Sequence, residues 1–134
     1  MTLTADRNTL AKEGNFINAP VAAAKKIYEG ALVALDASGN ATPGLVATTL
    51  KSAGRAEENV DNSTGAAGDK RVLIRKGVFK FGNYAADLIT RADIGNPCYI
   101  VDDEQVARTN GTSTRSVAGT IFDVDTDGVW VRFV

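Results

Sequence analysis

The stretch Val129-Trp130-Val131-Arg132-Phe133-Val134 places Val129, Val131 and Phe133 on one face of an extended chain and Trp130 and Arg132 on the other. A helix would scatter these side chains around its axis, whereas a strand sorts them, so the segment predicts a half-buried β-strand. Upstream, Ser116-Val-Ala-Gly-Thr-Ile-Phe122 is a second β-type run, and Asp123-Val-Asp-Thr-Asp-Gly128 supplies a polar turn between the two. Cys98-Tyr-Ile-Val101 and Gln105-Val-Ala-Arg108 flank Asp102-Asp103-Glu104 in the manner of another hairpin, and Asn110-Gly111 offers the left-handed backbone of a tight turn.

The same logic extends toward the N-terminus. Arg71-Val-Leu-Ile-Arg75 and Val78-Phe-Lys-Phe81 lie on either side of Gly77. In one regular strand, Val72 and Ile74 would face away from Phe79 and Phe81. A bulge or sharp bend at Gly77 is therefore predicted, bringing all four onto a core face. Pro20 to Tyr28 has the start and stop signals of a short helix. The β-rich context favours a strand at Lys26-Ile-Tyr28, a turn at Glu29-Gly30 and a strand over Ala31-Leu-Val-Ala-Leu35. Glu57 to Asp69 and Asn83 to Asn96 read as loops, the second with one helical turn at Ala85–Ile89.

Composition agrees with this reading. The 134 residues include 13 Val and 13 Thr but only 8 Leu, a β-branched bias that suits pleated surfaces. A chain of this length buries roughly two-thirds of its unfolded surface, enough for one self-sufficient domain. The expected architecture is mainly β, with about seven to nine short strands. A compact antiparallel β-sandwich is preferred, jelly-roll topology among its forms, and a small β-barrel is the alternative. Residues 1–18 carry sparse apolar anchors (Leu3, Leu10, Phe16, Ile17) and read as an extended N-terminal arm, leaving residues 19–134 as the β domain.

Several function classes lose their chemistry at this level. The chain has no histidine, so Ser-His-Asp and Cys-His catalysis and histidine metal ligation fall away. The single cysteine, Cys98, has no disulfide partner within the chain and no second thiolate for a structural zinc site, and its strand neighbours point to a buried, inert thiol. A net charge of −1 argues against a nucleic-acid surface. No apolar run is long enough for a membrane span, and the N-terminus lacks the apolar core of a secretory signal; a reducing cytoplasm is the expected place of synthesis. Asp123, Asp125 and Asp127 match the opening D-x-D-x-D-G of a calcium loop. The glutamate needed at its twelfth position is replaced by Val134, so a solvated hairpin turn without bound metal is expected. Asp102, Asp103 and Glu104 sit on one turn and not across a cleft, unlike paired hydrolytic acids. No catalytic residue and no cofactor is assigned, and the chain is read as a non-enzyme. Trp130 is expected at a subunit interface.

A run of segments in order carries a resemblance. It comprises Ala5-Asp-Arg-Asn-Thr9, Pro20-Val-Ala-Ala, Ile27-Tyr-Glu-Gly-Ala-Leu-Val33 and Leu35-Asp-Ala-Ser-Gly39. Further along come Gly54-Arg-Ala-Glu-Glu58, Val60-Asp-Asn-Ser63, Arg75-Lys-Gly-Val-Phe79 and Ala92-Asp-Ile-Gly95. Cys98-Tyr-Ile-Val-Asp-Asp103, Arg115-Ser-Val-Ala-Gly119 and Gly128-Val-Trp-Val131 complete the run. In these segments the chain resembles the small head decoration, or capsid cement, proteins of tailed phages and Mu-like prophages. The resemblance implies a mainly-β structural protein that oligomerises on the capsid exterior and bridges neighbouring major capsid subunits; closed symmetry makes a dimer or trimer the expected oligomer, and synthesis is expected in the host bacterial cytoplasm. The expected capsid or subunit contacts are Leu3, Leu10, Phe16, Ile17 and Trp130. A phage tail or fibre-associated module and a carbohydrate-binding β-module are the alternative functions.

Overall fold

The run Ala31–Leu35 is apolar at every position, the pattern of a strand covered on both faces, and it is the hinge of the architecture. The structure, a computed structural model, describes residues 2–134 and is mainly β. In its first half lie β1 (Phe16–Pro20), β2 (Lys25–Ile27), β3 (Leu32–Leu35), β4 (Ala41–Pro43), β5 (Lys51–Ala56), β6 (Val60–Asn62) and β7 (Arg71–Arg75). The second half adds β8 (Gly77–Asn83), β9 (Pro97–Ile100), β10 (Gln105–Ala107), β11 (Val117–Asp125) and β12 (Gly128–Phe133). The last five form a closed barrel in the order β10-β8-β12-β11-β9. The sheet β1-β7-β5-β3-β4 curls on itself, because Val21, just past β1, bridges Ala41 of β4 at the opposite edge. A separate pair, β2 with β6, covers part of this sheet's core. Of the two expected architectures, the closed barrel is thus present, joined to a rolled sheet.

β3 is shared by the two halves. Leu32 and Ala34 pack into the barrel core, while Val33 and Leu35 pack into the core of the sheet. The contacts are close: the Leu32 N–H donates to the Asp103 carbonyl at 2.8 Å, and Gly44 donates to the Leu32 carbonyl at 2.8 Å. A Cβ on Gly44 would lie 2.7 Å from the Asp102 carbonyl oxygen, so only glycine allows the chain to pass here.

The bend predicted at Gly77 is present, and its role is larger than a bulge. β7 stops at Arg75, Lys76 crosses over, and Gly77 takes φ +149° to start β8 in the other half. The four apolar residues therefore do not share one core. Val72 and Ile74 are buried in the sheet, whereas Phe81 is buried and Phe79 half-buried in the barrel, each meeting Phe133 with ring centroids 5.8 and 6.2 Å apart respectively. The predicted strands at Lys26–Tyr28 and Ala31–Leu35 exist as β2 and β3, with Gly30 at φ +87° in the turn between them. They do not pair with each other: β2 runs beside β6, a strand inside the segment read as the loop Glu57 to Asp69. Asn62 anchors that segment by donating its amide to the carbonyls of Ala22 and Ala66 at 3.1 and 3.0 Å.

Residues 18 and below also need correcting. β1 begins at Phe16 opposite Arg75 of β7, and Ile17 packs on the sheet core, so the arm ends at residue 15 and Phe16 and Ile17 belong to the folded body. The Asn-Phe-Ile-Asn-Ala segment shows no alternation of apolar and polar residues; its strand is defined by a partner distant in sequence.

Truncating Leu32 to Ala opens space in the barrel core beside the shared strand and is expected to cost about 2–5 kcal/mol. Chemical denaturation followed by circular dichroism should show this loss as one shifted transition, with the slope unchanged.

Candidate contact surface

The outer wall of the barrel is built by the β11–β12 hairpin. Its inward residues, Ala118, Ile121 and Val124, are spaced by three and not by two. Two irregularities in register, between Val117 and Gly119 and between Ile121 and Asp123, insert the extra residues that cause this spacing. The second bulge turns Phe122 outward, where it is 49% exposed with the Arg132 guanidinium 4.8 Å from its ring centroid. Ile94, also exposed, borders the same shallow apolar depression, and on the far side of Phe122 lie Val78 and Trp130. Phe122 was not singled out by strand parity, because the bulges interrupt it, and the adjacent pair Ile121-Phe122 was the available signal; Ile94 lies outside any strand, just after the helical turn Arg91–Asp93.

Trp130 sits half-buried on the outward face of β12. Its indole N–H donates to Asp125 at 2.7 Å, and the Lys80 ammonium approaches its ring at 5.8 Å. That ammonium also binds Asp127 and lies 3.6 Å from Asp125. Asp123 accepts from Arg91 at 2.9 Å. The hydrogen bond from Lys80 holds the Asp127 carboxyl below the usual carboxylate range, and the backbone N–H of Val124, with Arg91 beside it, does the same for Asp123. The three aspartates of the calcium-like sequence are thus divided between two basic side chains. Among the described residues no three carboxylate or thiol groups converge as metal ligands.

The turn at Asn110-Gly111 is strained and held. Gly111, Thr112 and Ser113 all take left-handed φ, at 63, 61 and 62°, which is costly for β-branched Thr112. Asp87 secures its ends by accepting from the Thr109 backbone at 3.0 Å and from Arg115 at 2.9 Å, and its carboxyl is lowered chiefly by the Thr109 hydroxyl. Cys98 lies inside the barrel, fully buried, with its thiol 3.6 Å from the Gly119 carbonyl.

The remaining candidates separate in space by character. Residues 2–15 form no strand and are exposed throughout, Leu3 at 72% and Leu10 at 86%. Their link to the body is the Asn15 carbonyl, which accepts from the Lys76 N–H at 2.7 Å just before β1. Leu3 and Leu10 therefore stand on the arm, Phe16 and Ile17 on the sheet edge, and Trp130 on the barrel wall. Among the described residues no helix is long and apolar enough to cross a membrane.

No protein-family model matches the chain, and no curated protein and no solved structure is significantly similar to it.

Burial pushes the Cys98 thiol up from its ordinary value near 9.0 to about 12. The folded state then keeps a proton that the unfolded chain releases above pH 9, so this contribution to stability is complete below that pH and falls by about 1.4 kcal/mol per pH unit up to the folded value. Stability curves between pH 8 and 11 should accordingly fall less steeply in Cys98→Ala than in the parent. The native thiol should also resist an aromatic disulfide reagent at pH 8 and react once the protein is unfolded.

Proposed function

We propose that this protein is a non-enzymatic structural protein of a phage virion. In this reading it binds the outer surface of the capsid and cements neighbouring major capsid subunits. The observation that carries the reading is the pairing of a closed, tightly packed body with an arm that its own body leaves uncovered. Leu3 and Leu10 project from residues 2–15 into solvent. A segment with so few anchors gains order by burying them on a partner or by adding a strand to a partner's sheet edge. Several such arms on one oligomer would bind a repeating shell through effective concentration, with each contact modest.

The exposed apolar wall around Phe122 supports self-association into the dimer or trimer that this role calls for, since aromatic side chains are enriched in the buried centres of such interfaces. Near-neutral charge suits a protein partner better than nucleic acid. A carbohydrate-binding module is less well supported. Of the two aromatic platforms it would use, Trp130 has its indole N–H bound to Asp125 with the Lys80 ammonium near its ring, and Tyr84 has the Arg115 guanidinium 5.4 Å from its ring centroid.

A chain lacking residues 2–14 retains β1 and should fold with an unchanged melting temperature. Mixed with empty heads and sedimented, it should fail to reach the copy number of the intact protein. Saturation equal to that of the intact chain would remove the arm from the attachment.

A further inference from the structure

An open groove of about 610 Å³ runs between the two halves of the molecule. One wall is the start of β5 at Lys51 and Ser52, the other the start of β11 at Val117–Thr120. Both walls end in backbone without a neighbouring strand. β3 accompanies β5 as far as Lys51, but β7 pairs with β5 only at Arg55 and Ala56; at buried Ala53 the carbonyl accepts from the Lys76 ammonium at 3.1 Å, which leaves Lys51 and Ser52 as the stretch of this edge without a ladder or another partner. Across the groove, β12 pairs with β11 only from Thr120 onward and its Arg132 carbonyl closes against Gly119, so Val117 and Ala118 have a strand on their β9 side alone. The walls are held at a fixed spacing by Ser116, whose hydroxyl donates to the Ala47 carbonyl at 2.6 Å and accepts from the Leu50 N–H at 3.1 Å.

The side chains add a sign to this geometry. Lys51, Arg115 and Arg132 line the groove and no Asp or Glu does, in a chain whose net charge is −1. Arg115 is committed to Asp87 at 2.9 Å. Lys51 and Arg132 have no carboxylate within ion-pair distance among the described residues, and Arg132 instead rests over Phe122. Val117 is 49% exposed at the rim, and the shielded hydroxyl of Ser52 has no hydrogen-bond partner among the described residues.

We propose that the groove receives an extended, acidic segment of a partner polypeptide, which pairs with the edge at Lys51 and Ser52 and sets carboxylates against Lys51 and Arg132. Main-chain hydrogen bonds to the open part of the edge supply affinity without demanding sequence, and the two cations that lack a carboxylate partner supply the preference for acidic side chains. Alternate side chains of the added strand would face Val117 and the apolar floor at Phe133. The inference is independent of the capsid reading, because it specifies the chemistry of the bound segment and not the protein that carries it.

The test uses the isotopically labelled full chain with three probes: an end-blocked hexapeptide alternating Glu and Val, its Lys and Val counterpart, and an oligothymidine. Amide resonances of Lys51–Ala53 and Val117–Thr120 should shift saturably with the acidic peptide alone, and added salt should weaken the binding. The exposed double variant Lys51→Glu/Arg132→Glu should keep a folded, dispersed spectrum and bind at least about tenfold more weakly. Shifts absent or located elsewhere, equal binding of the basic peptide, stronger binding of the oligonucleotide at the same amides, or undiminished affinity in the folded double variant would each overturn the proposal.

Discussion

Everything in this molecule depends on one strand being buried from both sides. Leu32 and Ala34 belong to the barrel core and Val33 and Leu35 to the sheet core. A strand alternates its side chains by geometry, so an uninterrupted apolar run can serve two cores at once, and no polar face is left for solvent. Each half alone would have a small core, and small cores are marginal. Sharing β3 lets the apolar area of both halves act in one cooperative unit.

Around that strand, the chain changes sides where its backbone is most permissive. Gly77 carries it from sheet to barrel, and Gly44 lets the segment after β4 pass against Asp102, Ile100 and Leu32. Arg55 lies against Phe79 at 4.1 Å, one further tie between β5 and the barrel strand β8. The resulting body is stiff, its two cores filled by aliphatic side chains and phenylalanine, and what remains adaptable is at its margins: the arm, the outer wall around Phe122 and the groove beside β5.

The sequence displayed the strands more clearly than their partners. The alternation of Val129 to Phe133, the β11–β12 hairpin and the bend at Gly77 were legible, because each is set by neighbours in sequence; the hairpin's turn is shorter than the expected Asp123–Gly128, since Asp123–Asp125 pair with Trp130, Val129 and Gly128 and leave only Thr126 and Asp127 between the strands. The split into two cores was not, since Val72 and Phe79 are close in the chain and their separation depends on a crossover that parity alone presents as a bulge. β1 was hidden for the same reason: Phe16 and Ile17 are made a strand by β7. Of the proposed contact residues, Leu3 and Leu10 could be found as apolar side chains on a segment poor in anchors, and Trp130 by its place on the outward face of the last strand. Phe122 and the unpaired edge of β5 could not, because bulges and missing ladder partners are properties of pairing.

The shared strand is tested most directly by native-state hydrogen exchange measured against denaturant. Amides of Leu32, of Ile74 in the sheet and of Val131 in the barrel should merge onto one opening reaction whose free energy equals that of global unfolding. Protection persisting at Val131 after Val33 and Ile74 have exchanged would show that the halves open separately, and would contradict the account.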